Sequence, residues 1–360
     1  MSAPTPVLLM ARELGLGGSE RQLTEVARSL DRSRFSPHVG CMSAGGLRTE
    51  ALKAAGVPVV TFPVRSFYRP STVACATELI SFIRKAGIRL VHTFDTPMNL
   101  FGVPPAWLSR GPVVLSSQRA FRELSSGVQR RLLRVTDHLA DGVVVNCEVL
   151  RRHLIDDEGV SASKIHVCYN GIDLAEFNPG DRQPCDSVTI GVVCALRPEK
   201  GLPTLIEAFS RIRGEAKLVI VGSGPMRDEL RWKAEPLGAR CQFEPATNKV
   251  AARLRQMDIF VLPSLSEALS NSLMEAMACG CSVVASRVGG NVELVEDGRT
   301  GFLFEKSDAA QLASVLERLI TEEWLRREMG TAAANFIREG FSLDTSVTRI
   351  QSIYDTMLSI

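Results

Sequence analysis

The sequence predicts an α/β fold of two Rossmann-like, doubly wound domains, with mainly parallel sheets facing a central cleft. Short apolar runs recur without polar alternation, amphipathic stretches separate them, and the rhythm starts again after a turn-rich interruption near residue 180. Strands that are apolar at every position are buried on both faces, which calls for a parallel sheet covered by helices. A chain of 360 residues is long for one core and comfortable for two.

In the first half, the runs at 7–11, 38–42, 58–62, 90–94, 112–117, 142–146 and 164–169 are the expected strands. Amphipathic segments at 19–30, 71–86 and 147–157 are the expected helices between them. Ser19 and Gln22 stand in the S-x-x-Q relation of a capping box at the first helix start. Residues 178–186 are turn formers without periodicity and mark a linker, giving domains 1–180 and 181–341. The second half places strands at 188–196, 217–222, 241–243, 259–263 and 281–286, and helices near 201–213, 225–237, 271–279, 308–321 and 323–338. In residues 342–360, Val347, Ile350, Ile353, Tyr354 and Met357 recur at helical spacing.

Composition narrows the function classes. With 45% hydrophobic and 23% charged residues the chain reads as globular, and no run approaches the roughly 20 apolar residues of a spanning helix. The weakly charged stretch 96–109 is interrupted by Pro104 and Pro105, and the N-terminus lacks the early positive charge of a secretory signal. A cytoplasmic protein is expected. Nine cysteines without a C-x-x-C pair suit reduced, buried thiols, and five scattered histidines give no metal-ligand spacing. The first half carries 21 basic against 16 acidic residues and the second 21 against 24, far from the dense basic signature of a nucleic-acid binder.

The chemistry-bearing stretch is 264–290. Glu267 and Glu275 stand eight positions apart, with Ser270, Asn271 and Ser272 between them and a helix expected to start there. Helix N-termini offer unpaired N–H groups and a positive dipole end, so the loop can receive an anion beside carboxylates able to grip hydroxyls. Ser272 and Glu275 also fit an S-x-x-E capping box. Arg197 and Lys200 lie at a strand end and suit a diphosphate clamp, though a solvated turn would look the same. GLGGSE and VGSGPMR, around Gly17, Gly18 and Gly222, lack the third glycine of a dinucleotide fingerprint.

Taken together, the Glu267/Glu275 spacing, MACGCSVVAS, ELVEDGRTGFLF, the Arg197/Lys200 pair, VGSGP, YNGID and GLGGSE resemble the family-four retaining glycosyltransferases, the group 1 glycosyl transferases of GT-B fold. The resemblance implies that Glu275 bonds the nucleotide ribose and Glu267 the donor sugar. It also implies that Arg197 and Lys200 hold the diphosphate, helped by Ser270, Asn271, Ser272, Gly17, Gly18 and Gly222. No metal and no cofactor are implied beyond a nucleotide-diphosphate-sugar donor, a UDP-sugar ahead of GDP- or ADP-sugars. Residues 342–360 are implied to cross back to the N-terminal domain. Where many members carry H-x-H, this chain has His92 followed by Phe94; His92 remains a catalytic candidate, and Asp95 could orient an acceptor hydroxyl instead. The basic segment 119–134 is a candidate membrane contact, by analogy with members that act on lipid-linked acceptors, or else a solvated helix face.

The expected activity is transfer of a hexosyl or N-acetylhexosaminyl group to an acceptor sugar or lipid-linked glycan, as in polysaccharide or glycoconjugate synthesis, with anomeric configuration retained. Double displacement needs a carboxylate nucleophile at the anomeric carbon; none stands out, so front-face displacement is expected. Two alternatives stay open: a non-catalytic sugar-nucleotide-binding subunit and a sugar-nucleotide epimerase on the same fold.

Overall fold

A computed structural model of the chain describes residues 3–67, 69–180 and 187–359. The chain divides into two compact units, one running to Gly171 and resuming at Asp344, the other spanning Ile172–Leu343. Residues 172–180, expected with the first domain, therefore lie with the second. Ile172 forms a parallel bridge with Ser342, and Arg255 donates to the carbonyls of Glu176 and Asn178. The remainder of the expected linker, 181–186 with Cys185, lies outside the described residues.

The first unit contains β1 (Thr5–Glu13), α1 (Gly18–Ser29), β2 (Phe35–Ser43), α2 (Leu47–Ala54), β3 (Val59–Thr61), α3 (Ser71–Lys85), β4 (Leu90–Thr93), α4 (Thr96–Leu108), β5 (Val113–Gln118), α5 (Gly127–Leu139), β6 (Gly142–Val145), α6 (Glu148–Asp156) and β7 (Ile165–Val167). The strands form one parallel sheet in the order β3-β2-β1-β4-β5-β6-β7. One face packs Leu9, Leu23, Phe35 and Phe94 together, and the other packs Leu8, Met10, Phe62 and Leu79. Burial on both faces is what the unalternating apolar strands require.

The second unit contains β8 (Val188–Val193), α7 (Leu202–Arg211), β9 (Ala216–Val221), α8 (Arg227–Ala234), β10 (Cys241–Glu244), α9 (Val250–Leu254), β11 (Ile259–Leu262), α10 (Asn271–Ala278), β12 (Ser282–Ser286), α11 (Asn291–Leu294), β13 (Phe302–Phe304), α12 (Ala309–Thr321) and α13 (Glu323–Gly340). Its sheet is also parallel, ordered β10-β9-β8-β11-β12-β13. The last helix, α14 (Leu343–Leu358), buries Ile350, Ile353, Tyr354 and Met357 in the core of the first unit.

Both sheets reverse strand order once, between β1 and β4 and between β8 and β11. In open α/β sheets ligands bind beyond the carboxyl ends of the strands at such a reversal. The reversals therefore single out the segments that follow β1, β4, β8 and β11.

The helix α4 departs from the sequence expectation. Residues 96–109 read as an interrupted apolar stretch, yet Thr96–Leu108 is helical with Pro104 and Pro105 inside it. Proline lacks an N–H and normally breaks a helix. Here Asp95 caps the N-terminus and the buried Met98, Phe101, Val103 and Ala106 hold the rest by packing. No helix among the described residues is long and apolar enough to cross a membrane. The eight described cysteines are free thiols.

Candidate functional site

At the second reversal, β8 leads through a short 3-10 turn, Pro198–Lys200, into α7, and β11 leads through 263–270 into α10. The two connections are stitched together. The Leu265 N–H donates to the Glu199 carbonyl at 2.8 Å; on its other side the β11–α10 loop is tied to the segment after β12, where the Gly290 N–H donates to the Ala268 carbonyl at 2.7 Å. Gly201 adopts a φ of 63°, and any Cβ there would strike the Pro263 carbonyl, so only glycine lets the turn and the loop approach so closely.

This stitching brings Lys200 and Glu267 together. Lys200 Nζ donates to Glu267 Oε2 at 2.7 Å, and Ser264 Oγ donates to the same oxygen at 2.9 Å. The Ser264 carbonyl in turn accepts from Ser286 Oγ at 2.6 Å, which anchors the loop to the end of β12. The two charged side chains are 20% and 13% exposed. Burial works to lower the Lys200 pKa, but the Glu267 carboxylate outweighs it, so the net shift is upward and the ammonium is secured. Arg197 stands apart: its side chain is 63% exposed and its nearest carboxylate, that of Glu199, is 4.0 Å away. Of the two expected clamp cations, one is pre-paired with the expected sugar ligand and the other is open.

Helix α10 starts where expected but is capped differently. Ser270 is the N-cap, its Oγ accepting from the Leu273 N–H at 3.3 Å, and Ser272 is the second residue of the helix. The expected Ser272/Glu275 capping box is therefore not formed. Glu275 is 4% exposed on a helix whose Leu273, Met274, Ala276 and Met277 are fully buried. Gly222 is also buried. A Cβ there would strike the Cys194 carbonyl, and its N–H donates to the Glu244 carbonyl at 3.0 Å. Packing at this position therefore admits only glycine.

In the first unit, Gly17 is the N-cap of α1 without a side-chain cap, so the Ser19/Gln22 capping box is likewise absent. Gln22 is buried instead, its amide exchanging two 3.1 Å hydrogen bonds with the backbone of Gly171. The Glu20 carboxylate folds back against Gly17, filling the space where a Cβ would stand. Gly17 and Gly18 are exposed at the end of the β1 connection, with this carboxylate beside them.

His92 sits inside the core of the first unit. It is fully buried in β4, with Nδ1 at 2.7 Å from Tyr354 Oη and Nε2 at 2.8 Å from Ser117 Oγ. Burial, and secondarily the nearby Arg119, hold its pKa well below the usual histidine range. Both nitrogens of this imidazole are thus engaged inside the core, and the low pKa keeps it neutral. Asp95 is half-buried and caps α4. Its Oδ1 accepts from the Met98 N–H at 2.8 Å and its Oδ2 from the Arg12 N–H at 2.6 Å. Burial raises its pKa to about 6.

The basic segment is mostly neutralised. Arg122 is fully buried and donates to Asp137 Oδ1 at 2.9 Å. Arg130 and Arg134 both donate to the buried Glu158, at 2.8 and 2.9 Å. Arg131 remains exposed beside Val128, Leu132 and Val135, which are 62%, 48% and 54% exposed along α5.

The residues missed from sequence are the positioning ones: Ser264, Ser286 and Gly290 around Glu267, and Gln22 with Gly171. One signal was present, since Ser264 and Glu267 themselves form an S-x-x-E pair. No cluster of metal-ligating side chains occurs among the described residues.

Comparison with known proteins adds two family matches. Residues 16–176 match the model described as Glycosyltransferase Family 4, and residues 187–322 match Glycosyl transferases group 1. A D-inositol 3-phosphate glycosyltransferase of Acidothermus cellulolyticus is 29% identical over 355 residues, covering 92% of this chain and 74% of that protein. The enzyme of the same name from Mycobacterium tuberculosis is 32% identical over 199 residues, covering 50% and 41%. Among solved structures, Anabaena Alr3699/HepE in complex with UDP and glucose superposes with a TM-score of 0.86 at 21% identity, over 98% of this chain and 99% of that one. Sucrose-phosphate synthase from Thermosynechococcus elongatus gives 0.81 at 19% identity, covering 99% of each chain.

Proposed function

Since the chain belongs to the family-4, group 1 glycosyltransferases and has their GT-B fold, we propose that it moves a hexosyl or N-acetylhexosaminyl group from a nucleotide-diphosphate sugar to an acceptor hydroxyl, with retention and without a metal. The observation that carries this reading is the Lys200–Glu267 pair, fixed by Ser264 beside the exposed Arg197 and the start of α10. A UDP-sugar is the leading donor, since Alr3699/HepE was crystallised with UDP-glucose. GDP- and ADP-sugars are the alternatives.

In this reading Arg197 closes on the diphosphate, and Lys200 is shared between the diphosphate and Glu267. Glu267 then holds the sugar hydroxyls and Glu275 the ribose, while the N–H groups of Asn271 and Ser272 face phosphate. The bond from the anomeric carbon to the phosphate oxygen breaks, and its electron pair leaves on the diphosphate. The acceptor oxygen bonds to the same face of that carbon, and its proton passes to the departing phosphate oxygen. The cations stabilise the growing charge, and removing one such preorganised group commonly costs on the order of a hundredfold or more in turnover. Arg197→Ala should therefore lower kcat by about that factor with its melting temperature unchanged; transfer at the wild-type rate would overturn the assignment.

The exposed Val128, Leu132 and Val135 beside Arg131 support peripheral contact with an anionic membrane through α5. Leu132→Asp should abolish co-sedimentation with anionic vesicles. Wild-type protein that stays in the supernatant would contradict this contact.

A further inference from the structure

The second unit holds a cavity of about 560 Å³ at the edge of its sheet away from the candidate site. Val188, the first residue of β8, lines it, and so do Asp258 and Gly280, which stand just before β11 and β12. Because the sheet is parallel, these are amino ends, whereas Arg197, Lys200 and Glu267 follow carboxyl ends. The cavity is no part of the crevice at the strand-order reversal.

Helix α13 supplies the longest wall. Glu323, Arg326, Arg327, Gly330, Ala334 and Arg338 line the cavity at the three- and four-residue spacing of one helix face. The middle of that face is small by necessity. A Cβ on Gly330 would strike the Gly280 carbonyl oxygen, so only glycine lets α13 lie directly on the turn before β12. The two ends are cationic, since Arg326 and Arg338 stand about 18 Å apart along the helix axis.

Three guanidinium groups share the lining with two carboxylates, and both carboxylates are engaged. Glu323 pairs with Arg327 at 2.7 Å, and Asp258 Oδ2 accepts from the Thr189 N–H at 2.9 Å. Arg326 Nη1 donates to the carbonyls of Leu319 and Ile320 at 2.6 and 3.2 Å, which anchors this half-buried side chain on the last turn of α12. Arg338 Nη1 donates to Asn335 Oδ1 at 2.7 Å. Neither arginine has a carboxylate within ion-pair distance among the described residues. Guanidinium forks match phosphate oxygens, and a cavity of this size holds a ligand of small-metabolite dimensions.

We infer that this cavity is a second ligand site, and that it takes a small bisphosphorylated metabolite. One phosphate sits at Arg326 and the other at Arg338, with the uncharged middle of the molecule over Gly330 and Ala334. Sugar and nucleoside bisphosphates share this chemistry, and the experiment separates them. The site does not depend on the glycosyltransferase reading above.

The test is calorimetric titration of the full chain, with UDP at saturation, using fructose 1,6-bisphosphate, adenosine 3′,5′-bisphosphate and fructose 6-phosphate. Wild type is compared with Arg326→Gln, Arg338→Gln and Arg197→Ala. Wild type should bind a bisphosphate at least roughly tenfold more tightly than the monophosphate, and each cavity variant should lose about that factor, as expected for a charged hydrogen bond. Arg338 is exposed and donates to the neighbouring Asn335, so Arg338→Gln keeps the test decisive even if Arg326→Gln disturbs the end of α12. Arg197→Ala should leave bisphosphate binding unchanged. Preference for the sugar or for the nucleoside compound identifies the source, and either supports the site. Absence of bisphosphate binding, affinity that neither cavity variant lowers, or affinity lost only in Arg197→Ala would overturn it. Failure of UDP to bind would strike the donor reading instead, while the comparison of Arg338→Gln with Arg197→Ala still decides the cavity.

Discussion

Lys200 and Glu267 set the electrostatics of the site at the scale of single residues. Each neutralises the other at 2.7 Å before any ligand arrives, while Arg197 is 63% exposed with the Glu199 carboxylate 4.0 Å away. The residue types were legible in the sequence, but their pairing was not, because it depends on Gly201 letting two distant loops touch. His92 shows the opposite limit. Its place in an apolar strand was visible, but its two partners come from Ser117 and Tyr354, the latter 262 positions away. Asp95 offers a residue-scale test. Its pKa is raised to about 6 from the ordinary 3.8, so the folded chain takes up that proton before the unfolded chain does as pH falls. This group's contribution to stability therefore rises as pH drops from about 6 to about 4 and is lost on the way back up. Asparagine can keep the helix cap, so Asp95→Asn should flatten this component of the pH profile in urea melts. Parallel profiles for the two proteins would contradict it.

At the scale of elements, strands were read well because burial on both faces leaves an unbroken apolar signature. Helix starts are less legible. Both predicted capping boxes at the candidate site were displaced, with Gly17 and Ser270 as the actual caps. In α1 the glutamine expected in the box instead bonds Gly171, a tertiary demand that overrides the local pattern. Helix α4 escaped notice because Pro104 and Pro105 argue against a helix locally, whereas packing and the Asp95 cap hold it. Helix α14 was visible by its apolar spacing, and its Tyr354 now has a defined function: its hydroxyl meets His92 Nδ1 at 2.7 Å inside the first core. Tyr354→Phe keeps the ring but leaves a buried imidazole nitrogen without its partner, a loss of about 1–3 kcal/mol. Thermal melting should show a clear drop; an unchanged melting temperature would mean that the bond contributes nothing to stability.

For the whole molecule, two parallel sheets, each with one order reversal, were legible from a rhythm of strands and helices that runs twice through the chain. The return of the C-terminal helix to the first unit was implied only by the family resemblance, since spacing shows an amphipathic helix without saying where it docks. The proposed catalysis, by one preorganised set of cations with no carboxylate nucleophile and no metal, has a specific stereochemical outcome. The most direct test follows the anomeric proton signals by NMR while wild-type protein consumes a UDP-sugar in the presence of acceptor and a metal chelator. Steady transfer is expected, with the product carrying the donor's anomeric configuration from the first turnovers. Inverted product, or donor that binds and is never consumed across a range of acceptors, would contradict it.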